Sequence, residues 1–137
     1  MKKLLIVLML SWACTKEDTT LPTASLGSKI EIKYENEVIF KEGIQAKITK
    51  IEDSRCPKSV TCVWQGSVRV YLTLSDSNVS KEAVLEFLAD NSKPAITTVE
   101  LGSQKYSVEI LDVLPYPENT GEIKLADYKV SMTVKKV

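Results

Sequence analysis

The chain has 137 residues, of which 18 are basic and 18 are acidic, and it contains no histidine. A balanced charge does not suggest a nucleic-acid partner, which would favour a basic face. The absence of histidine excludes a Ser-His-Asp triad and removes the commonest general base and transition-metal ligand.

Residues 1–13 have the pattern of a bacterial lipoprotein signal peptide. Two lysines precede an apolar run over 4–10, which is too short to span a bilayer as a helix, and Ala13 stands directly before Cys14. We expect cleavage before Cys14 and acylation of its thiol, since each buried CH₂ of an acyl chain contributes about 0.8 kcal/mol to anchoring. The remainder would carry 16 basic and 18 acidic side chains, because both lysines leave with the signal. The alternative is an ordinary secretory signal in which Cys14 has no role.

Residues 14–28 are polar and rich in Thr and Ser, which predicts a flexible tether that begins with the lipidated Cys14. Lys16, Glu17 and Asp18 resemble the short lysine-plus-acidic signal that sends some Gram-negative lipoproteins to the outer face of the outer membrane. A solvated tether that is charged by chance explains them equally well. We expect a protein of the cell envelope, lipid-anchored to the outer membrane and facing the periplasm or the surface.

The sequence over 29–137 alternates apolar and polar residues with a period of two, which is typical of half-buried antiparallel strands. Gly102-Ser103 fits a hairpin turn, and a change of the inward face near Ile110 indicates a bulge. The segment 81–89 fits a helix or a strand, and we favour a strand because its neighbours are strands. Seven to eight strands predict an all-β fold, a single antiparallel β-sandwich of Ig-like or Greek-key type, with an open barrel as the alternative.

One predicted strand, over 62–74, begins inside the most informative motif, in which Asp53, Arg55, Cys56 and Pro57 are followed by Cys62, Trp64 and Gly66. Of the three cysteines one is assigned to lipid, so Cys56 and Cys62 can form a disulfide, with a contribution of roughly 2 to 2.5 kcal/mol for so short a loop. We expect Trp64 to share the inward face with Cys62 and to be buried against the disulfide. Gly66 suits a bulge or a close backbone approach. We expect Arg55 to form a hydrogen bond with Asp53.

This D-S-R-C-P…C-x-W-x-G signature resembles a family of uncharacterised bacterial secreted and lipid-anchored proteins. In that family a later strand leads into a P-x-P corner and the final strand opens with tyrosine, as Pro115-Tyr116-Pro117 and Tyr128 do here. The resemblance implies a small all-β extracytoplasmic domain whose two cysteines belong to one motif. It implies no activity.

Three functional interpretations compete with a purely structural role for the motif. Lys58 and Ser59, inside a short disulfide loop, are similar to the bait of serine-protease inhibitors. A redox pair is less expected, because the spacing is wider than C-x-x-C and the second cysteine opens a strand. Surface acids could bind Ca²⁺, but no calcium-loop spacing occurs, and we predict no metal. The acids considered are Asp53, Asp76, Asp112 and Glu118.

We therefore predict a non-catalytic binding or interaction module without a cofactor. Its expected partners are the membrane, through the N-terminal lipid, and a protein or glycan, but not nucleic acid. Tyr116, held between two prolines, is a candidate contact residue, with packing against the end of the sandwich as the alternative. The alternative function is an enzyme of unfamiliar type that uses carboxylate or Ser/Lys chemistry.

Overall fold

A computed structural model describes residues 22–137. The predicted signal peptide, Cys14 and the first part of the tether lie outside the described residues. Within 22–137, no helix has the length and apolar character needed to cross a membrane.

Nine strands form over the described residues, with one 3₁₀ turn before the last of them. The strands are β1 (Thr23–Ala24), β2 (Lys29–Lys33), β3 (Glu37–Phe40), β4 (Gln45–Asp53), β5 (Ser67–Ser75), β6 (Ser80–Leu88), β7 (Ala95–Leu101), β8 (Gln104–Leu114) and β9 (Lys129–Lys136), and the 3₁₀ turn is Leu125–Asp127. One sheet has the order β1-β3-β4-β5-β6 and the other the order β2-β9-β8-β7. All pairs are antiparallel except β1 with β3.

The predicted all-β sandwich is confirmed, with nine strands instead of seven or eight and with sheets that do not close into a barrel. The segment 81–89 is a strand, as β6, and the expected bulge appears as a register shift between Ile110 and Asp112. Part of the segment assigned to the tether contacts the sandwich, because Thr23–Ala24 pairs with β3 and the Gly27 N–H donates to the Val134 carbonyl at 2.7 Å.

The core lies between the sheets and follows directly from the alternation of the sequence. In β5 every second side chain is fully buried, and the opposing strands β8 and β9 contribute a matching apolar set. The residues between them differ from strand to strand: in β5 they are exposed or half-buried, whereas Ser131 and Thr133 of β9 are themselves buried. The buried apolar side chains of these three strands are Val68, Val70, Leu72, Leu74, Tyr106, Val108, Ile110, Val113, Val130, Met132 and Val134.

The connections between strands gather at the two ends of the sandwich. At the disulfide end lie the segments 54–66, 89–94 and 115–128, because β4, β6 and β8 all run toward it. The opposite end holds the connections 25–28, 41–44, 76–79 and 102–103.

Candidate functional site

A buried ion pair organises the disulfide end. The side chains of Asp53 and Arg55 are only 8% and 1% exposed. Arg55 donates from Nε to Asp53 Oδ1 at 2.9 Å and from Nη2 to Oδ2 at 2.7 Å, and its backbone N–H donates to Oδ1 at 3.1 Å. The expected hydrogen bond is therefore a bidentate pair, the geometry for which guanidinium is suited.

Arg55 also holds a distant segment of the chain. Its Nη1 donates to the Val113 carbonyl at 2.7 Å and its Nη2 to the Pro115 carbonyl at 2.9 Å. Val113 is the last residue but one of β8, and Pro115 is the first residue of the P-x-P segment 115–117, which we call the proline corner. One guanidinium thus fastens the end of a strand in the first sheet to the end of a strand in the second.

Tyr128, which precedes β9, completes the buried cluster by donating from its hydroxyl to Asp53 Oδ2 at 2.9 Å. Burial alone would raise the pKa of Asp53, but the hydrogen bonds and charge of Arg55 outweigh it, so that the pKa lies below its usual value. Burial, followed by the hydrogen bond to Asp53, raises the pKa of Tyr128. Asp53 is therefore a charged acceptor already occupied by two partners, an arrangement that suits a structural anchor better than a general base.

The disulfide between Cys56 and Cys62 is present, with the two Cα atoms 6.0 Å apart. Backbone bonds fix the loop that it closes: Lys58 N–H donates to the Pro117 carbonyl and Ser59 N–H to the Glu118 carbonyl, both at 3.0 Å. The loop is therefore attached along one side to the segment that follows the proline corner.

Gly66 allows a close backbone approach, as its place in the motif predicts. Its φ is +78°, and a Cβ at this position would lie 2.2 Å from the Ser54 carbonyl oxygen. Ser54 N–H donates to the Ser67 carbonyl at 2.9 Å, and Cys56 N–H to the Gln65 carbonyl at 2.8 Å. Only glycine combines this dihedral angle with this proximity, so Gly66 brings the two ends of the disulfide loop together.

The prediction that Trp64 is buried against the disulfide is wrong. Trp64 is 61% exposed, and β5 begins only at Ser67. The alternation of the sequence continues back to Cys62, but the left-handed conformation of Gly66 turns the chain before the strand starts. The side chains before Gly66 consequently no longer follow the inward and outward faces of β5.

Tyr116 packs back onto the end of the sandwich. Its hydroxyl donates to the Cys56 carbonyl at 2.9 Å, and its ring centroid lies 5.0 Å from the Arg55 guanidinium carbon and 5.7 Å from Lys58 Nζ. Of the two alternatives for Tyr116, the structure has the folded-back one. The Lys58 ammonium also pairs with the Glu118 carboxylate at 2.8 Å.

Three apolar side chains are nevertheless exposed in this loop and directly after it. Val63 is fully exposed, Val60 is 43% exposed, and Trp64 lies beside them in sequence. We call these three residues the disulfide-loop tip. The sequence predicts Lys58, Ser59 and Tyr116 as contact residues, and it does not predict the exposure of Val60, Val63 and Trp64.

A cleft of about 410 Å³ lies beside the loop, with Arg55, Pro117, Ile123 and Tyr128 among its lining residues. Over residues 22–137 there is no group of three or more acidic, cysteine or histidine side chains that could hold a metal ion. Asp53, Asp76, Asp112 and Glu118 thus do not converge. Asp76 instead accepts hydrogen bonds from the backbone N–H groups of two residues in its own turn, which lower its pKa.

No protein-family model, curated protein or solved structure matches this chain.

Proposed function

We propose that this protein is a lipid-anchored extracytoplasmic interaction module, without catalytic activity, that contacts its partner through the disulfide-loop tip. The observation that carries the proposal is the exposure of Val63 and Trp64 on a loop that is held rigid. Isolated apolar residues on a surface are common, but two consecutive apolar residues that are both mostly exposed, one of them a tryptophan, favour an interaction site.

The rigidity of the loop supports binding in particular. The disulfide, the backbone bonds to 117–118 and the buried Arg55 all restrict the loop before any partner arrives. A preorganised loop loses little conformational entropy on association, so a larger share of its contact energy appears as affinity. Tryptophan contributes a large contact area in such sites and is enriched among the residues that dominate binding energy.

The same geometry makes an inhibitor-like display of residues 56–62 a weaker proposal. Val60 N–H donates to the Pro57 carbonyl at 3.3 Å, so the segment around Lys58 is a turn, whereas a protease bait is extended. The Lys58 ammonium is directed to Glu118 and to the ring of Tyr116 and would have to leave both to enter a specificity pocket.

Site-specific photo-crosslinking in intact cells tests the contact. A photoreactive amino acid at Val63 of the anchored chain should give adducts with an envelope component on illumination. The matched control is Val84, which is 48% exposed on β6, away from the loop, and should give no specific adduct. Absence of adducts at Val63, or the same adducts at both positions, would contradict the proposed contact.

Metabolic labelling with an alkyne fatty acid tests the anchor. The wild-type chain should incorporate the label, and Cys14→Ser should not, because the thiol that accepts the acyl chain is missing. Equal labelling of the two would refute lipidation at this cysteine.

A further inference from the structure

We propose that the partner of the disulfide-loop tip is the lipid bilayer itself, so that the domain stands on the membrane with its disulfide end down. This inference rests on the proposed anchoring at Cys14 and names the partner of the proposed contact surface. Three observations carry it: the direction in which the chain enters β1, the length of the segment before β1, and the distribution of exposed apolar side chains.

The direction of β1 decides from which end the chain reaches the domain. β1 pairs in parallel with β3, with Thr23 opposite Ile39, and the Ile39 N–H donates to the Pro22 carbonyl at 3.1 Å. β3 is antiparallel to β4, which ends at the disulfide end, so β3 and β1 both run away from that end. At Pro22 the backbone therefore points back toward the disulfide end.

The length of the preceding segment matches the distance to that end. Eight residues, counted from Cys14, precede Pro22, and eight extended residues span at most about 26–29 Å. Thr23 pairs with Ile39 of β3, and Ile39 pairs with Gln45, the first residue of β4, so Thr23 and Gln45 lie at the same level of the sheet. The strand Gln45–Asp53 then rises about 26 Å over eight steps at about 3.3 Å each. If the segment continues in the direction that the backbone has at Pro22, an acylated Cys14 reaches the plane of the disulfide end and cannot extend far beyond it.

Exposed apolar side chains are concentrated at the same end. Nine large hydrophobic residues are exposed within 22–137, and five of them belong to the disulfide end: Val60, Val63, Trp64, Leu114 and Leu125. Of these nine residues, only Val137 lies at the opposite end. Its N–H donates to the carbonyl of Lys105, which is close to the turn between β7 and β8. The end toward which the anchor leads is therefore the apolar one.

The chemistry of the tip suits the interface of a bilayer. Tryptophan is enriched at the headgroup level, where an amphipathic ring has both apolar and polar surroundings. Basic charge is not the attraction, since Lys58 pairs with Glu118 at 2.8 Å. The other lysines of this end, Lys93 and Lys124, are outnumbered by its other acids, which are Asp90, Glu122 and Asp127. Contact should therefore depend on apolar burial and respond only weakly to ionic strength.

Reconstitution of the full lipidated protein into protein-free vesicles of phosphatidylethanolamine and phosphatidylglycerol tests the inference. Cleavage of the signal removes Trp12 and leaves Trp64 as the sole tryptophan. In vesicles Trp64 should show blue-shifted emission, resistance to acrylamide and quenching by lipids with brominated acyl chains, in low and in high salt. The control variant, Trp64→Phe with Val137→Trp, reports from the opposite end and should show none of these changes.

Water-exposed emission from Trp64, without bromine quenching, would overturn the inference. If Val63 then still crosslinks to an envelope protein or glycan in cells, the proposed interaction module stands and only the identity of its partner changes. Lipid adducts at Val63 would support both. A mature protein whose mass contains no acyl chain would overturn the anchor together with this inference.

Discussion

The sharpest energetic prediction concerns the buried ion pair. Asp53→Asn leaves the Arg55 guanidinium uncompensated at 1% side-chain exposure and places an amide N–H group among donors. The wild-type carboxylate accepts four hydrogen bonds, from Arg55 at 2.7, 2.9 and 3.1 Å and from Tyr128 at 2.9 Å. Breaking one partner of a buried pair costs about 3–5 kcal/mol. That is a large part of the roughly 5–15 kcal/mol by which a small domain is stable.

Urea unfolding followed by circular dichroism measures this loss. With a slope of about 1–3 kcal/mol per molar urea, the midpoint should fall by at least about 1 M. The matched control is Glu100→Gln, which removes an exposed pair with Lys105 at 3.0 Å and should cost about 0–1 kcal/mol. If Asp53→Asn costs no more than Glu100→Gln, the buried cluster does not hold the two sheets together.

Arg55→Lys separates charge from geometry at the same position. A lysine keeps the positive charge, but one ammonium cannot bond Asp53, the Val113 carbonyl and the Pro115 carbonyl together, as the planar guanidinium does. The variant should therefore be markedly less stable than the wild type. A stability close to that of the wild type would show that charge alone is sufficient.

Three further predictions concern the same end of the molecule. The lowered pKa of Asp53 stabilises the fold at pH values above the ordinary carboxyl range, and this stability is lost as the pH falls below about 4. Asp53→Asn should therefore make the free energy of unfolding less dependent on pH in acid. An unchanged dependence would contradict this. Gly66→Ala, which forces a Cβ to 2.2 Å from a backbone oxygen, should unfold at lower urea than Gly102→Ala, whose φ is also positive but whose Cβ meets nothing within 4 Å; equal losses would refute the close approach. Cys56→Ser combined with Cys62→Ser should cost roughly 2 to 2.5 kcal/mol while the domain still folds, and complete unfolding would mean that the disulfide supports more than its loop.

The strands could be predicted because one face of each is buried and the period of two records that directly. The bulge near Ile110 was predictable for the same reason, since an extra residue shifts the inward face from Ile110 to Val113. The pairing of Thr23–Ala24 with β3 could not be predicted, because a strand of two residues is too short to show alternation. The surrounding Thr- and Ser-rich sequence favours a tether.

Trp64 was missed because alternation says nothing about where a strand stops. Cys62, Trp64 and Gly66 continue the pattern of β5, but the φ of +78° at Gly66 reorients the chain. The available signal was the glycine itself, which predicts a bulge or a close backbone approach and can equally mark the point where a strand begins. An apolar residue on the far side of such a glycine need not share the core face of the strand.

The partners of Arg55 were predictable only in part. The bond to Asp53 is local, and the motif pointed to it. The bonds to Val113 and Pro115 join residues 58 and 60 positions apart, and the hydroxyl of Tyr128 reaches Asp53 from 75 positions away. Such contacts depend on how the two sheets stack, which a single sequence does not encode in any local pattern.

The central claim is that Trp64 serves contact and not packing, and Trp64→Ser tests it most directly when unfolding and crosslinking are measured on the same variant. Because the ring is 61% exposed, the free energy of unfolding should change by no more than about 0.5 kcal/mol, while the yield of envelope adducts at Val63 should fall. A stability loss of about 3–5 kcal/mol, the cost of removing a core tryptophan, with an undiminished yield of adducts, would contradict the claim.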